Sequence, residues 1–255
     1  MIRDLLKRRP LAVAHRGDPM KRPQNTRSSF LSALEYDIDM IETDLNMTGD
    51  GRIVIIHDQV VDFTSNGKGE VNSYTLADLR RLDFGSWMGP GFSGETIMTL
   101  EELLDLVKGR DVALNIEIKN GPRIYEGIEE KVVAILNDLS AADRVIVSSF
   151  DHATIRHIKD IAPNLLCGIL FSGAFIDPIT PARLAGADGL HPEYSSVHEP
   201  LVSAALSAGL FVNVWTVDSE EQMKRLAALG VTGILSNYPE RLVGVLKGSP
   251  DTSGA

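Results

Sequence analysis

The chain has 255 residues, of which 44% are hydrophobic and 24% charged, a balance typical of a globular protein with a large core. Its formal net charge of −10 excludes the basic surface that nucleic acids and anionic membranes require. We therefore expect neither nucleic-acid binding nor stable membrane association. The single cysteine, Cys167, excludes an intrachain disulfide and any metal site built from several thiolates.

Short apolar runs rich in β-branched residues alternate with segments of helical periodicity along most of the chain. This alternation is typical of βαβ units around a parallel sheet. The predicted strands span residues 11–14, 39–45, 53–56, 112–118, 145–149, 165–170, 189–191, 210–217 and 233–236. The predicted helices span residues 25–35, 76–82, 100–107, 128–139, 152–161, 199–208, 220–228 and 239–246.

These strands are one more than a (β/α)₈ barrel uses. Only residues 49–52 (GDGR) separate the second strand from the third, which is too short for a parallel crossover and contains the Asp-Gly pair of a hairpin turn. We therefore predict an α/β fold, a TIM barrel with an extra hairpin after strand 2. A single domain is expected over residues 1–246, with a small insertion at residues 59–98 and a disordered tail at residues 247–255.

The amino-terminal residues contain no apolar run of signal-peptide length, and no apolar run along the chain is long enough to span a membrane. We therefore expect a cytoplasmic protein. The sequence leaves its oligomeric state open.

Charged residues alternate with apolar residues in two of the predicted strands. Residues two apart share one face of a strand, so Glu42 and Asp44 point the same way, as do Glu117 and Lys119. In a barrel the apolar face packs on the helices, which turns the charges inward at the carboxyl-terminal mouth. Three converging carboxylates repel one another unless a cation joins them, and an all-oxygen set suits Mg²⁺ or Ca²⁺. The alternative is the solvated face of an edge strand.

Two histidines directly follow predicted strands, His15 after the first strand and His57 after the return strand of the hairpin. Phosphodiester cleavage needs one group that takes a proton and another that gives one, and imidazole does both near neutral pH. We expect Arg16 and Lys119 to hold the phosphate oxygens. Together with a divalent cation, these residues indicate a phosphodiesterase site. Each histidine taken alone fits a packing or capping role instead.

Aromatic residues are the candidates for contact with the alcohol part of a diester. Trp215 shares a strand face with the polar Asn213, which favours a position in the mouth, although a tryptophan packed under a helix is the alternative. In the insertion, Phe84 and Trp87 form either a lid or a small core of their own. We expect Trp215 and the insertion to govern which alcohol is accepted. His191, at the end of the sixth barrel strand, has no assigned role.

Nine short motifs follow one another along the chain: HRG at 15–17, QNT at 24–26, ETD at 42–44, HD at 57–58, GKG at 67–69, TLEE at 99–102, EIK at 117–119, WTVD at 215–218 and GILSNYP at 233–239. In this order they resemble the glycerophosphodiester phosphodiesterase family. The resemblance implies a (β/α)₈ barrel with a small insertion after the HD motif. By motif position it implies an acid/base pair, a set of metal ligands and two phosphate contacts: His15 and His57; Glu42, Asp44 and Glu117; Arg16 and Lys119.

The chain departs from the family pattern at several positions. Gln24 and Asn237 stand where the family typically has Glu and Asp, and Phe63 stands where an Arg-Thr-Thr run usually begins. The resemblance implies metal-dependent hydrolysis of glycerophosphodiesters to glycerol 3-phosphate and an alcohol, with one divalent cation, Mg²⁺ or Ca²⁺. The alternatives are a related phosphodiesterase acting on a sugar phosphodiester or a lysophospholipid, and a metal-dependent barrel lyase. A lyase does not require the histidine pair.

Overall fold

The computed structural model describes residues 1–8 and 10–248. Its strands are β1 (Leu11–His15), β2 (Met40–Met47), β3 (Ile53–Ile55), β4 (Met98–Thr99), β5 (Ala113–Ile118), β6 (Val145–Ser149), β7 (Leu166–Phe171), β8 (Gly189–Pro192), β9 (Phe211–Val214) and β10 (Gly233–Ser236). Its α-helices are α1 (Ile2–Leu5), α2 (Arg27–Ala33), α3 (Leu76–Leu79), α4 (Leu100–Leu106), α5 (Ile128–Asp138), α6 (His152–Ile161), α7 (Ile179–Ala185), α8 (Glu199–Ser207), α9 (Glu220–Ala228) and α10 (Pro239–Lys247).

Eight of these strands, β1, β2 and β5 to β10, pair in parallel and close into a barrel. Closure occurs at β1, which pairs with β10 on one side and with β2 on the other, as in the registers Leu11↔Gly233 and Val13↔Met40. Helices follow the strands and cover the outside of the barrel. The predicted TIM barrel is confirmed.

The two faces of each barrel strand have different partners. Ile41 and Leu45 of β2 face outward and belong to the large apolar layer between the strands and the helices. Met40, on the other face, packs inside the barrel with Leu11 and Val13 of β1. This alternation turns the charged residues of β2 and β5 toward the barrel axis.

A short helix closes the amino-terminal end of the barrel. Ile2 of α1 is 3% exposed and packs with inward-facing residues at the start of the strands, among them Leu11 and Val13. This helix was not predicted, because four residues are too few for a periodic pattern. The helix α7 was not predicted either, because Pro178 and Pro181 resemble a turn signal, although Pro178 is the N-cap and Pro181 lies in the first turn.

The predicted hairpin follows β2. The last residues of β2 pair antiparallel with β3, in the registers Leu45↔Ile55 and Met47↔Ile53. Gly51 has φ +75°, the left-handed conformation that the turn requires and that glycine adopts without steric cost. The strand β4 extends this antiparallel pairing beyond β3, and its two residues were too few to predict.

The insertion at residues 59–98 has a small core of its own beside β3. Phe84 is 4% exposed and packs there with Val54, Ile56 and Leu79, among others. Trp87 is 44% exposed, and its Nε1 donates to the carbonyl oxygen of Phe84 at 3.0 Å. Of the two alternatives for the insertion, a lid or a small core of its own, Phe84 belongs to the small core.

The last helix ends at Lys247, inside the range predicted as a disordered tail. Its Nζ donates to the carbonyl oxygen of Asp37 at 2.7 Å and lies 2.9 Å from Oδ1 of Asp39. Residues 249–255 of that predicted tail lie outside the described residues. Among residues 1–8 and 10–248, no helix has both the length and the apolar composition needed to cross a bilayer.

Candidate active site

A small cavity opens at the carboxyl-terminal ends of the barrel strands. Its lining includes seven of the eight residues predicted for the site: His15, Arg16, Glu42, His57, Glu117, Lys119 and Trp215. The eighth, Asp44, is fully buried and lies 3.0 Å from the Nζ of Lys119. The structure therefore brings together all of the predicted site residues.

The three predicted ligand carboxylates converge. Glu42, Asp44 and Glu117 each place one oxygen so that the three lie within 4.8 Å of one another. Their positions follow from strand register, because Asp44 pairs directly with Glu117 across β2 and β5. Burial and the neighbouring Asp44 charge raise the pKa of Glu42 well above its usual value, and burial raises the pKa of Glu117. Three anionic oxygen donors placed this close together form the kind of donor set that Mg²⁺ or Ca²⁺ prefers.

Two cationic side chains touch these carboxylates. The Nζ of Lys119 lies 2.6 Å from Oε1 of Glu117, and the Nε of Arg16 lies 3.2 Å from Oδ2 of Asp44. Although burial opposes ionisation, the Lys119 and Arg16 charges hold the pKa of Asp44 well below its usual value. Asp44 is thus the carboxylate of the three that stays ionised most readily.

The loop after β1 supports this charge cluster. Asn25, in the left-handed region at φ +60°, donates through Nδ2 to Oδ2 of Asp44 at 2.8 Å and accepts from the hydroxyl of Thr43 at 2.8 Å. Gln24 accepts from Nη1 of Arg16 at 3.0 Å. The QNT motif contains both residues, but their contacts depend on the path of the loop, which the sequence does not specify.

The two histidines differ in exposure and in hydrogen-bond partner. The side chain of His15 is 12% exposed, and burial, together with the Arg16 charge, lowers the pKa of His15 to about 4. The side chain of His57 is 33% exposed, and its Nδ1 donates to Oδ1 of Asp58 at 3.0 Å. Burial also lowers the pKa of His57, while the carboxylates of Asp44 and Asp58 oppose that shift.

Asn237 is a partner of His15 that the sequence analysis did not identify. Its Oδ1 lies 2.7 Å from Nδ1 of His15, and its Nδ2 donates to Oδ2 of Asp218 at 2.8 Å. The order of the strands gave a signal for this contact. His15 ends β1, Asn237 follows β10, and these two strands are neighbours wherever an eight-stranded barrel closes.

Apolar side chains line the side of the cavity across from the charges. Two of them, Leu170 and Leu235, lie on β7 and β10, and the other two, Phe150 and Trp215, directly follow β6 and β9. Phe150 contacts Trp215 edge to face, with ring centroids 5.4 Å apart, and the Nε1 of Trp215 donates to the carbonyl oxygen of His191 at 2.7 Å. Trp215 therefore lies in the mouth, as predicted. The described lining of this cavity contains neither Phe84 nor Trp87.

His191 itself lies deeper in the barrel. Its side chain is fully buried beside Phe211, and burial lowers its pKa to about 3. His191 is therefore a neutral, packed side chain at neutral pH. It is not part of the cavity lining.

A family model for the glycerophosphoryl diester phosphodiesterase family matches residues 15–241. The chain belongs to this family. A glycerophosphodiester phosphodiesterase of Caldanaerobacter subterraneus subsp. tengcongensis is 40% identical over 237 residues, covering 93% of this chain and 98% of the relative. A second glycerophosphodiester phosphodiesterase, from Bacillus subtilis, is 36% identical and covers 94% of this chain and 87% of the relative.

Solved structures of the glycerophosphoryl diester phosphodiesterase family share the barrel. A phosphodiesterase of Oleispira antarctica, solved in complex with the product sn-glycerol-3-phosphate, superposes with a TM-score of 0.83 at 29% identity. The alignment covers 93% of this chain and 97% of that protein. The family resemblance identified in the motifs is confirmed by sequence and by fold.

Proposed function

We propose that this protein hydrolyses glycerophosphodiesters to glycerol 3-phosphate and an alcohol. One observation carries the proposal: His15 and His57 line the same cavity as two cationic side chains and two carboxylates, and the buried Asp44 completes the carboxylate cluster. A barrel lyase needs the carboxylates but not the histidine pair, so the arrangement favours cleavage of a phosphodiester. Family membership and the product complex of the Oleispira relative support the same activity.

The residues proposed to hold a divalent cation are Glu42, Asp44 and Glu117. Crowding and burial make this trio unfavourable when all three are ionised, as the raised pKa values of Glu42 and Glu117 indicate. A hard dication relieves that repulsion and matches the oxygen donor set of the trio, as either Mg²⁺ or Ca²⁺. When bound, it supplies positive charge to the phosphoryl oxygens as negative charge develops there.

The two cationic side chains are proposed to bind the phosphate. Lys119 and Arg16 neutralise carboxylates in the structure and lie at the cavity surface, with side chains 12% and 18% exposed. A phosphate oxygen that enters the cavity therefore meets donors that are already held in place by Glu117 and Asp44. The planar guanidinium of Arg16 can donate two bonds to one phosphate.

We propose different proton-transfer roles for the two histidines. His15 is buried, has a neutral amide as its Nδ1 partner and is neutral at pH 7, which suits a base that takes the proton from the attacking oxygen. His57 is more exposed and has the carboxylate of Asp58 as its partner, which opposes the lowering of the His57 pKa by burial. That environment suits the acid that protonates the leaving alcohol.

The apolar side of the cavity is proposed to contact the carbon atoms of the diester. Phe150 and Trp215 offer ring surfaces opposite the charged residues, so the phosphate and the organic part of the substrate face different walls. A cytoplasmic location and action on a small-molecule diester complete the proposal.

The test is product analysis by ³¹P NMR with the purified protein and glycerophosphocholine, glycerophosphoethanolamine, a sugar phosphodiester and a lysophospholipid. We expect release of glycerol 3-phosphate from the first two substrates. EDTA should abolish this activity, and Mg²⁺ or Ca²⁺ should restore it. Cleavage of the sugar diester or lysophospholipid alone would assign the activity to one of the alternatives. Full activity in EDTA would contradict the proposed metal site.

A further inference from the structure

The strand order brings His15 and Asn237 side by side although 222 residues separate them in the sequence. Ala14 of β1 pairs with Ser236 of β10, so the residues that follow them meet at the mouth. There the Nδ1 of His15 lies 2.7 Å from the Oδ1 of Asn237. This contact determines which of the two ring nitrogens carries the proton.

The orientation of the Asn237 amide is fixed by Asp218. Its Nδ2 lies 2.8 Å from Oδ2 of Asp218, while Oδ1 of that carboxylate accepts from the backbone N–H of Asn237 at 2.9 Å and from the hydroxyl of Ser236 at 3.1 Å. A carboxylate accepts hydrogen bonds and cannot donate them. The amide must therefore point its NH₂ group toward Asp218 and its oxygen toward His15, which leaves no freedom for a flipped amide.

An amide oxygen also only accepts, so the proton of the neutral His15 ring must lie on Nδ1. The other nitrogen, Nε2, then carries the lone pair and lies on the cavity side, 3.7 Å from Oε2 of Glu42. We propose that Asn237, held by Asp218, is a positioning residue that fixes the Nδ1–H tautomer of His15 and keeps Nε2 free to accept a proton. The consequence for turnover rests on the proposed function, whereas the tautomer itself does not.

The same geometry predicts how substitutions at Asn237 and Asp218 affect each other. Asn237→Asp alone places two carboxylates face to face across the present 2.8 Å contact. Adding Asp218→Asn restores a donor opposite the new carboxylate, and the group facing His15 still only accepts. The double variant exchanges the two side chains: residue 218 now donates to residue 237, so this one contact reverses its direction, while an acceptor still faces Nδ1 of His15.

The primary test is the tautomer, read from ¹⁵N chemical shifts of the histidine rings in the full-length protein at about pH 8, where a neutral ring dominates. The His15 signal is assigned by its loss in His15→Gln. We expect Nδ1–H in the wild type and in the double variant, and a population of Nε2–H in Asn237→Ala. An Nε2–H ring in the wild type, or an unchanged Nδ1–H ring in Asn237→Ala, would overturn the proposal.

Kinetics supply the second readout. Because Asn237 is proposed to position the base His15 and not the substrate, Asn237→Ala is expected to lower kcat by about tenfold or more while KM stays within about twofold. The double variant is expected to recover most of kcat relative to Asn237→Asp. The matched control is Ser236→Ala, which removes a neighbouring bond to Asp218 but leaves the contact between Asn237 and His15, and both its tautomer and its kcat should match the wild type.

The two proposals fail separately. If the wild type hydrolyses none of the diesters, the proposed function fails while the ¹⁵N shifts still decide the tautomer. If the wild type is active but kcat of Asn237→Ala equals that of the wild type, the positioning role of Asn237 fails and the proposed function stands. A loss of kcat in Ser236→Ala as large as that in Asn237→Ala would also refute the specific role of the amide.

Discussion

The imidazole of His191 lies over the Cα of Gly168 on the neighbouring strand, so that a Cβ at Gly168 would lie 2.4 Å from Cδ2 and 2.5 Å from Nε2 of the ring. No carbon atom approaches another this closely without displacement, and the His191 side chain is fully buried. The glycine therefore makes room for a histidine that packs inside the barrel beneath the active site.

We predict that Gly168→Ala lowers the free energy of unfolding by about 1–3 kcal/mol, because the buried ring cannot move away without disturbing its neighbours. Urea denaturation measures this change. The control is Gly91→Ala, where a Cβ meets nothing within 4 Å, and its effect should stay within about 0.5 kcal/mol. In a double-mutant cycle with His191→Ala the two changes should couple favourably, and strict additivity would show that the contact is not the cause.

The carboxylate cluster predicts a dependence of stability on pH. The pKa of Glu42 is raised in the folded protein, so the folded state favours the protonated side chain. The stability that this preference contributes is fully present below the ordinary pKa of a glutamate and is lost as the pH rises through the raised pKa. In EDTA, Glu42→Gln should therefore melt higher than the wild type at about pH 8, and the difference should shrink at about pH 5. Glu35→Gln, at an exposed position, should show no such difference.

Metal addition should reverse that order. A ligand that binds only the folded state raises stability with its concentration, so Mg²⁺ or Ca²⁺ should raise the melting temperature of the wild type. Glu42→Gln should lose most of that gain because it lacks one of the three proposed ligand carboxylates. Equal gains in both proteins would place the cation elsewhere.

We predict that His15→Ala and His57→Ala each lower kcat by about 10² or more, since each removes a group proposed to transfer a proton. His157→Ala serves as the control, because His157 is exposed and pairs with Glu130 on the surface. Circular dichroism checks that the variants fold. A wild-type rate in either cavity variant would remove that histidine from the mechanism.

Selectivity for the alcohol is expected to depend on the aromatic wall. Trp215→Ala and Phe150→Ala should change the ratio of kcat/KM between two diesters by about tenfold, equivalent to about 1.4 kcal/mol. Replacing residues 86–94 by a glycine-serine loop tests the insertion separately. Since the described lining of the cavity contains no residue of the insertion, we expect that replacement to change kcat/KM of all substrates by the same factor. A larger change in ratio from the loop than from Trp215→Ala would assign selectivity to the insertion.

Strand periodicity was enough to predict most of the site. Residues two apart share a face, and the apolar partners of Glu42, Asp44 and Glu117 could face only the helices, so the charges had to converge at the mouth. The hairpin was predictable for a similar reason, because residues 49–52 are too few for a parallel crossover.

The supporting contacts could not be predicted in the same way. Asn25 reaches Asp44 only through a backbone in the left-handed region, and Asn237 reaches His15 only because its amide is turned by Asp218. These contacts depend on loop paths and side-chain rotamers, which periodicity does not encode. Phe150 was within reach of prediction, since it lies two residues after Ser148 on an inward-facing register.

The strand β2 serves both the site and the hairpin, and its second role depends on the number of residues in the hairpin turn. Its middle contains Glu42 and Asp44, which pair with β5. Its end, from Leu45, pairs antiparallel with β3, and this pairing returns His57 to the mouth. A single residue inserted into or deleted from the turn at 48–52 would shift that pairing and send His57 to the opposite face of the sheet. The number of residues in this turn is therefore fixed by the face that His57 must occupy, and its two glycines, Gly49 and Gly51, are fixed by a close approach to the carbonyl oxygen of Asn72 and by φ +75°.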